Sequence, residues 1–236
     1  SKGDSQITGS LGITGIPNVS ASLASKAEGT ILYEAGSGAG SIQPTANSNS
    51  ATGTCSNIGG GRNHTVAGND SVIAGGFHHR VCSAESGILA GRYNEVINTT
   101  SFSAIAGGYY NKICDVSDYS FIGGGHINQI KGGTTGEGCN VIGGGSVNVI
   151  SGSRRTFIGG GIGHIALNSN DFVIGGGNDN EAVNSGCSVI VGGNKNRSCN
   201  TFTFIGSGQC NHTSGSYSTI VGGCCNKASG ACSTIG

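Results

Sequence analysis

The sequence predicts an all-β protein, a parallel β-solenoid built from coils of about fifteen residues, and three observations carry that expectation. The phrase Ser-x-Ile-x-Gly-Gly-x-x-Asn stands at Ser188–Asn196 and Ser218–Asn226, and again at Ser103–Asn111 and Ser120–Asn128. Looser copies fill the gaps and place Ile anchors at Ile58, Ile73, Ile88, Ile105, Ile122, Ile142, Ile158, Ile174, Ile190, Ile205 and Ile220, with a truncated copy ending in Ile235-Gly236. Their spacing is fifteen to seventeen residues apart from one gap of twenty between Ile122 and Ile142, and a short fixed period marks stacked coils. The composition agrees: 47 Gly, 2 Pro, no Met and no Trp in 236 residues do not describe an ordinary globule.

Each position of the repeat has a physical reading. Three residues after the anchor every copy has glycine: Gly61, Gly76, Gly91, Gly108, Gly125, Gly145, Gly161, Gly177, Gly193, Gly208 and Gly223. A position that never carries a Cβ needs positive φ or a close backbone neighbour, so it reads as a corner. Six residues after the anchor stands Asn94, Asn111, Asn128, Asn148, Asn180, Asn196, Asn211 or Asn226, replaced by His64, His79 and His164. Identical polar side chains on stacked rungs can form a hydrogen-bonded ladder. Two residues further comes a small or branched residue, from Val66 to Ala228. Another two bring a turn residue, such as Gly68, Asn98, Asn184 or Gly230, of the kinds that adopt the left-handed conformation most readily. Each repeat therefore reads strand, Gly-Gly corner, strand, Gly/Asn corner, with alternate strand residues facing inward. No segment has helical apolar periodicity.

Two regions follow along the chain. Residues 1–54 form a cap, attachment or assembly segment without a clean repeat, and residues 55–236 form the solenoid. In the first region Ser20–Ala27 reads as a short helix, Gly29–Glu34 as a strand, and Ser41–Gly53 as a degenerate first rung anchored by Ile42. An atypical end rung blocks edge-to-edge association. In the second region, extra residues near 98–102, 114–118 and 131–138 all follow the Gly/Asn corner, so they enlarge loops on one edge of the rod. A lone coil buries only two branched side chains while ordering about fifteen residues. That imbalance predicts an oligomer, with the Ile and Val/Ala stacks lying within or between subunits.

Twelve basic and twelve acidic residues balance, so no attraction to nucleic acid or to an anionic membrane is implied. No apolar run is long enough for a transmembrane helix, and the start of the chain has no signal-peptide core. Ten cysteines without a Cys-x-x-Cys spacing do not suggest a zinc ribbon. Cys210 and Cys225 share one register on neighbouring rungs, within disulfide range at rung spacing. Cys187 and Cys199 flank one corner region and form a second candidate pair. Small, reduced packing residues are the alternative for all of them. The Asp residues do not follow the calcium-binding Gly-Gly-x-Gly-x-Asp repeat. No nucleophile–base–acid set emerges, so neither catalysis nor a cofactor nor a metal is expected. Tyr93, Tyr109 and Tyr110 sit beside the Gly-Gly corner on adjacent rungs and are candidate glycan contacts.

Ser218, Ile220, Gly223, Asn226, Ala228 and Gly230 occupy the slots of a further pattern, Ser-x-Ala-x-Gly-x-x-Ser-x-Ala-x-Gly, with Ile for Ala and Asn for Ser. In this respect the stretch from Cys55 to Gly236 resembles the head repeats of trimeric autotransporter adhesins of the YadA-like kind. Similar Gly-Gly-x-x-Asn repeats occur in phage and large-virus fibres. The resemblance implies a left-handed β-roll, three chains around one axis, and an adhesive or fibrous role. The chain carries no coiled-coil stalk or anchor, which shifts the expectation towards a virion or released fibre.

The functional expectation is a rigid oligomeric rod for surface or host attachment, extracellular or on a virion surface. Its partners would be itself, as homotrimer or filament, and a host-surface glycan or protein. A self-assembling extracellular filament and a glycan- or ice-binding solenoid are the alternatives.

Overall fold

The computed structural model describes residues 33–45, 47–98, 101–133 and 138–236. Within them the chain is a parallel β-solenoid of two long sheets and no helix. The short helix expected at Ser20–Ala27 and the start of the strand expected from Gly29 lie outside the described residues.

Each turn contributes a two- or three-residue strand ending in an Ile anchor to a 14-stranded sheet, and a second short strand to a 12-stranded sheet. Between them one residue per turn makes a single parallel bridge to the next turn, in a line from Arg62 through Tyr109 to Cys224. The anchors pair in unbroken register, Ile58 to Ile73, Ile73 to Ile88 and onward to Ile220 with Ile235. The second inward column runs in the same way from Ala51 and Val66 to Thr213 and Ala228. Turns average about sixteen residues. Anchor and second column are always eight residues apart, as in Ile58 and Val66 or Ile220 and Ala228, so every length change falls in the return turn to the 14-stranded sheet. The twenty-residue gap after Ile122 is taken up there without loss of register.

The interior closes within one chain. The anchors from Ile58 to Ile220 have no exposed surface, and the facing column from Val66 to Ala228 has almost none. The stacks are thus intramolecular and do not wait for a subunit interface. The core narrows along its length, from Val and Ile in the second column to Ala166, Ala182, Ser198, Thr213 and Ala228. Phe172 is fully buried where other turns carry Ser, Thr or, at Asn140, Asn two residues before the anchor. A hydrogen bond two turns later, between the Ser198 and Thr203 hydroxyls at 2.6 Å, shows that this position meets the second column of the preceding turn. Phe172 therefore takes up volume that Ala166 gives back, a volume-conserving exchange.

The N-terminal end differs from the expected rung. β1 (Tyr33–Ala35) pairs antiparallel with β2 (Ile42–Pro44), capping the 14-stranded sheet. β2 then pairs with β4 (Asn57–Ile58) through Ile42 and Asn57. Ile42 therefore occupies the outward position and is exposed, and Gln43 stands at the anchor position. The Gln43 Oε1 accepts the Ala51 amide at 2.7 Å, where β3 (Ser50–Ala51) starts the 12-stranded sheet. The apolar side chain misled the register because Gln can satisfy this end position by bonding back to the chain, so the rung needs no Ile.

The outer faces of the two sheets differ. On the 14-stranded sheet the outward strand positions are Asn57, Val72, Gly87, Ala104, Phe121, Val141, Phe157, Val173, Val189, Phe204, Thr219 and Thr234, all uncharged. The 12-stranded sheet presents Arg80, Glu95, Lys112, Glu181, Arg197 and Lys227, with cross-strand pairs Lys112–Glu95 at 3.2 Å and Arg197–Glu181 at 3.1 Å.

Candidate functional site

The corner glycines have φ from 80° to 108°. At all but Gly223, a Cβ would land on the carbonyl oxygen of the next turn's corner glycine, and at every one on the ladder side chain of its own turn. Both reasons for glycine, backbone sign and close approach, apply together.

The Asn side chains link the turns along the interior. The Asn94 Oδ1 accepts the Asn111 amide at 2.9 Å, the Asn111 Oδ1 accepts the Asn128 amide at 2.9 Å, and the Asn128 Oδ1 accepts the Asn148 amide at 3.0 Å. The same bond continues through Asn180, Asn196, Asn211 and Asn226. Each Nδ2 donates to the carbonyl four residues back and, up to Asn211, to the corner carbonyl of the next turn, as Asn128 does to Gly124 at 2.9 Å and Gly145 at 3.0 Å. Upstream, Asn49 starts the series by accepting the His64 amide at 3.1 Å.

The three histidines keep the acceptor half of this pattern. The His64 Nδ1 accepts the His79 amide, the His79 Nδ1 accepts the Asn94 amide, and the His164 Nδ1 accepts the Asn180 amide, each at 3.1 Å. Their Nε2 atoms are buried without a well-aligned partner, although corner carbonyls such as that of Gly76 pull the His64 pKa upward in part. His64 and His79 stack at 5.1 Å. Burial, reinforced by the charge of His64, depresses the His79 pKa to about 4, and burial lowers His64 and His164 as well. A neutral imidazole with a fixed tautomer is a structural rung here.

A second interior ladder uses the residue two before the anchor. The Ser71 Oγ accepts the Ser86 amide at 3.1 Å, Ser86 accepts from Ser103 at 3.2 Å, and Ser103 accepts from Ser120 at 3.1 Å. The sequence shows this Ser column plainly, but its role as an acceptor series depends on the turn geometry.

Positive φ at non-glycine residues falls mostly into two columns. One is three residues before the anchor, from Cys55 and Asp70 to Tyr217 and Cys232, and the other is five after it, including Asn63, His78, Tyr93, Tyr110, Ile127, Val147 and Cys225. The second corner expected ten residues after the anchor has positive φ only at Asn98, Asp115, Gly152, Asn168 and Asn184. The return turn instead places its left-handed residue just before the next strand.

The second of these columns and the bridge line beside it build an aromatic ridge. Tyr93 and Tyr110 stack at 4.8 Å and 7°, Tyr109 and Tyr110 meet edge to face at 4.5 Å, and Tyr109 stacks on His126 at 5.4 Å. Phe77 meets Tyr93 edge-on at 5.3 Å and lies under the guanidiniums of Arg62 at 4.9 Å and Arg92 at 5.7 Å. The structure thus brings Tyr93, Tyr109 and Tyr110 together and adds Phe77, His78, His126 and two arginines. A register count would have found these, since they stand four or five residues after an anchor on successive turns. A concavity of about 320 Å³ opens beside the ridge, lined by His78, Tyr93, Glu95, Tyr110, Asn111 and Lys112. Partial desolvation among the rings and the neighbouring Tyr109 raise the pKa of the otherwise exposed Tyr110. Stacked rings cover each other's faces, so a ligand here meets ring edges, hydroxyls and the Glu95–Lys112 pair. That arrangement suits hydrogen bonding to a polar surface.

All ten cysteines are free thiols, so neither the Cys210–Cys225 nor the Cys187–Cys199 bridge is present. Cys225 touches Cys210 of the preceding turn and has the Cys224 sulfur at 3.3 Å, and the hydrogen bond with Cys224 raises its pKa. Cys114 is buried, and burial with the adjacent Asp115 pushes its pKa up to about 11. Among the described residues no group of three His, Cys, Asp or Glu side chains has a metal-holding arrangement.

No known protein-family model matches the chain, and no curated protein matches it either.

Proposed function

We propose that this chain is a structural and adhesive rod, a stiff solenoid that self-associates and presents its ridge and return-turn loops to a host or other surface outside the cell or on a virion. The observation that carries the reading is the unbroken pairing of anchors from Ile58 to Ile235, in which every turn repeats the same interior and all variation in length sits on one edge. Such construction serves extension and display, with the variable edge free to differ. The resemblance of the repeats to adhesin heads and viral fibres points the same way, and brings the expectation of a left-handed roll with three chains around one axis. The aromatic ridge is the attachment surface in this reading, and a glycan or a protein with exposed polar groups is its target.

Electron microscopy of the purified chain tests the rod. Rung spacing of ~4.8 Å predicts particles on the order of 55 Å long. Compact or bent particles would overturn the proposal, and open-ended fibres would favour the filament alternative. A glycan array tests attachment. Binding lost in a Tyr109→Ala, Tyr110→Ala double variant supports the ridge. Binding that survives that variant removes the ridge, and an array without hits removes glycans as the target.

A further inference from the structure

The two sheets are alike inside and opposite outside. Every outward strand position of the 14-stranded sheet from Asn57 to Thr234 is uncharged, and Val72, Phe121, Phe157 and Phe204 stand 38–43% exposed along it. Leu89 and Val191, one residue past their anchors, are 55% and 51% exposed on the same side. The outward strand positions of the 12-stranded sheet carry the pairs Lys112–Glu95 and Arg197–Glu181 towards its two ends, whereas on the other sheet the charges Asp70 and Glu85 flank the strand positions without occupying them. Scattered surface apolar residues need no explanation, whereas a contiguous uncharged stripe over the whole rod marks an interaction surface.

The stripe dips into a concavity of about 450 Å³ around Gly87 and Ala104 and is flattened at its phenylalanines. The Phe121, Phe157 and Phe204 rings lean over the glycines two residues on, and a Cβ at Gly123, Gly159 or Gly206 would stand 3.4–3.6 Å from the ring Cε1. The bulk is laid along the sheet, which leaves a surface suited to a second flat sheet face. We infer that the outer face of the 14-stranded sheet is the surface through which a further copy of this chain docks, face to face, with the rods side by side. This deepens the self-association in the proposed function and rests on it.

Three features select a copy of this chain as the occupant. The stripe repeats at the strand spacing of ~4.8 Å over the rod, and a partner keeping contact along that length needs the same pitch, which another copy has. The area clears the lower bound: roughly 55 by 10 Å gives a projected ~550 Å² per copy, or ~1,100 Å² over both, against the ~1,000 Å² total that a specific interface needs. The strand positions carry no basic residue and Asp70 and Glu85 stand beside them, so nothing there attracts an anionic polymer or lipid headgroup.

The test compares the whole chain with Phe157→Lys, Phe204→Lys and, as control on the other sheet in the same turn as Phe157, Ile165→Lys. All three side chains are exposed, so the solenoid should tolerate each change, and circular dichroism checks that it does. Sedimentation equilibrium at about 10 µM, above the dissociation constant of a micromolar interface, should give a multimer for the whole chain and for Ile165→Lys. The Phe variants should fall to monomer mass. A monomeric whole chain overturns the inference, as do Phe variants that stay associated or a control that dissociates equally. Whole chains that associate, with Phe variants that associate equally, would sink this inference and leave the proposed self-association standing, whereas a monomeric whole chain would sink both.

Discussion

Replacing Asn128 with Ala should be among the most damaging single changes in the molecule. Asn128 is fully buried near the middle of the rod and supplies both halves of the ladder. Its Oδ1 accepts the Asn148 amide at 3.0 Å, and its Nδ2 donates to Gly124 at 2.9 Å and Gly145 at 3.0 Å. The Gly145 carbonyl keeps a second donor, the His126 amide at 2.9 Å. The Asn148 amide and the Gly124 carbonyl lose the bonds that Asn128 makes to them. A buried polar group left unsatisfied costs ~1–3 kcal/mol, so the two together predict a loss of about 4 kcal/mol. Asn128→His should cost less than half as much, because an imidazole Nδ1 already accepts the next amide at His64, His79 and His164. Stacked turns can open separately, so the assay is urea unfolding together with amide hydrogen exchange read turn by turn. Exchange should rise most in the turns around Gly124 and Asn148. A cost below ~1 kcal/mol for Ala, or equal costs for Ala and His, would refute the claim that the interior ladder is a main source of stability.

Three further outcomes follow from the geometry. The unfolded His79 imidazole takes up a proton near pH 6.5 and the folded one only near 4, so the unfolded state holds more protons between those values. Stability should be full above about pH 6.5, fall by about 3 kcal/mol as the pH drops to 4, and level off below; thermal melts across that window should show it, and His79→Asn should flatten the slope. Val147 holds φ at 59° while largely exposed, and left-handed backbone costs a side-chain-bearing residue ~1–2 kcal/mol that Asn in part avoids, so Val147→Asn should raise the urea midpoint by the equivalent of about 1 kcal/mol. Ellman's reagent should label exposed thiols such as Cys139 and Cys232 quickly and Cys114 only on unfolding, since Cys114 is buried with its pKa near 11; fast labelling of Cys114 in the folded protein would contradict the packing around Ile113.

Much of this architecture is legible from spacing because each turn solves the same local problem. Gly76 and Gly193 announce a corner by lacking a side chain, and Asn111 and Asn196 announce a ladder by recurring at one distance from an Ile. The first rung escaped for the opposite reason. Ile42 looks like an anchor, yet a one-residue shift puts it outside and Gln43 in its place, and hydrogen bonds at the capped end decide that shift. Phe172 shows the same limit, since its burial makes sense only once Ala166 of the neighbouring turn lies beside it.

By itself the sequence determined the period, the inward columns and the glycine corners, because backbone sign and side-chain alternation are properties of a few consecutive residues. Only the tertiary structure decided that the core closes inside one chain, that the left-handed residues precede the strands, and that the outward strand positions of one sheet are uncharged while those of the other hold ion pairs. Those are relations between residues a full turn or more apart, fixed by how one coil settles on the next.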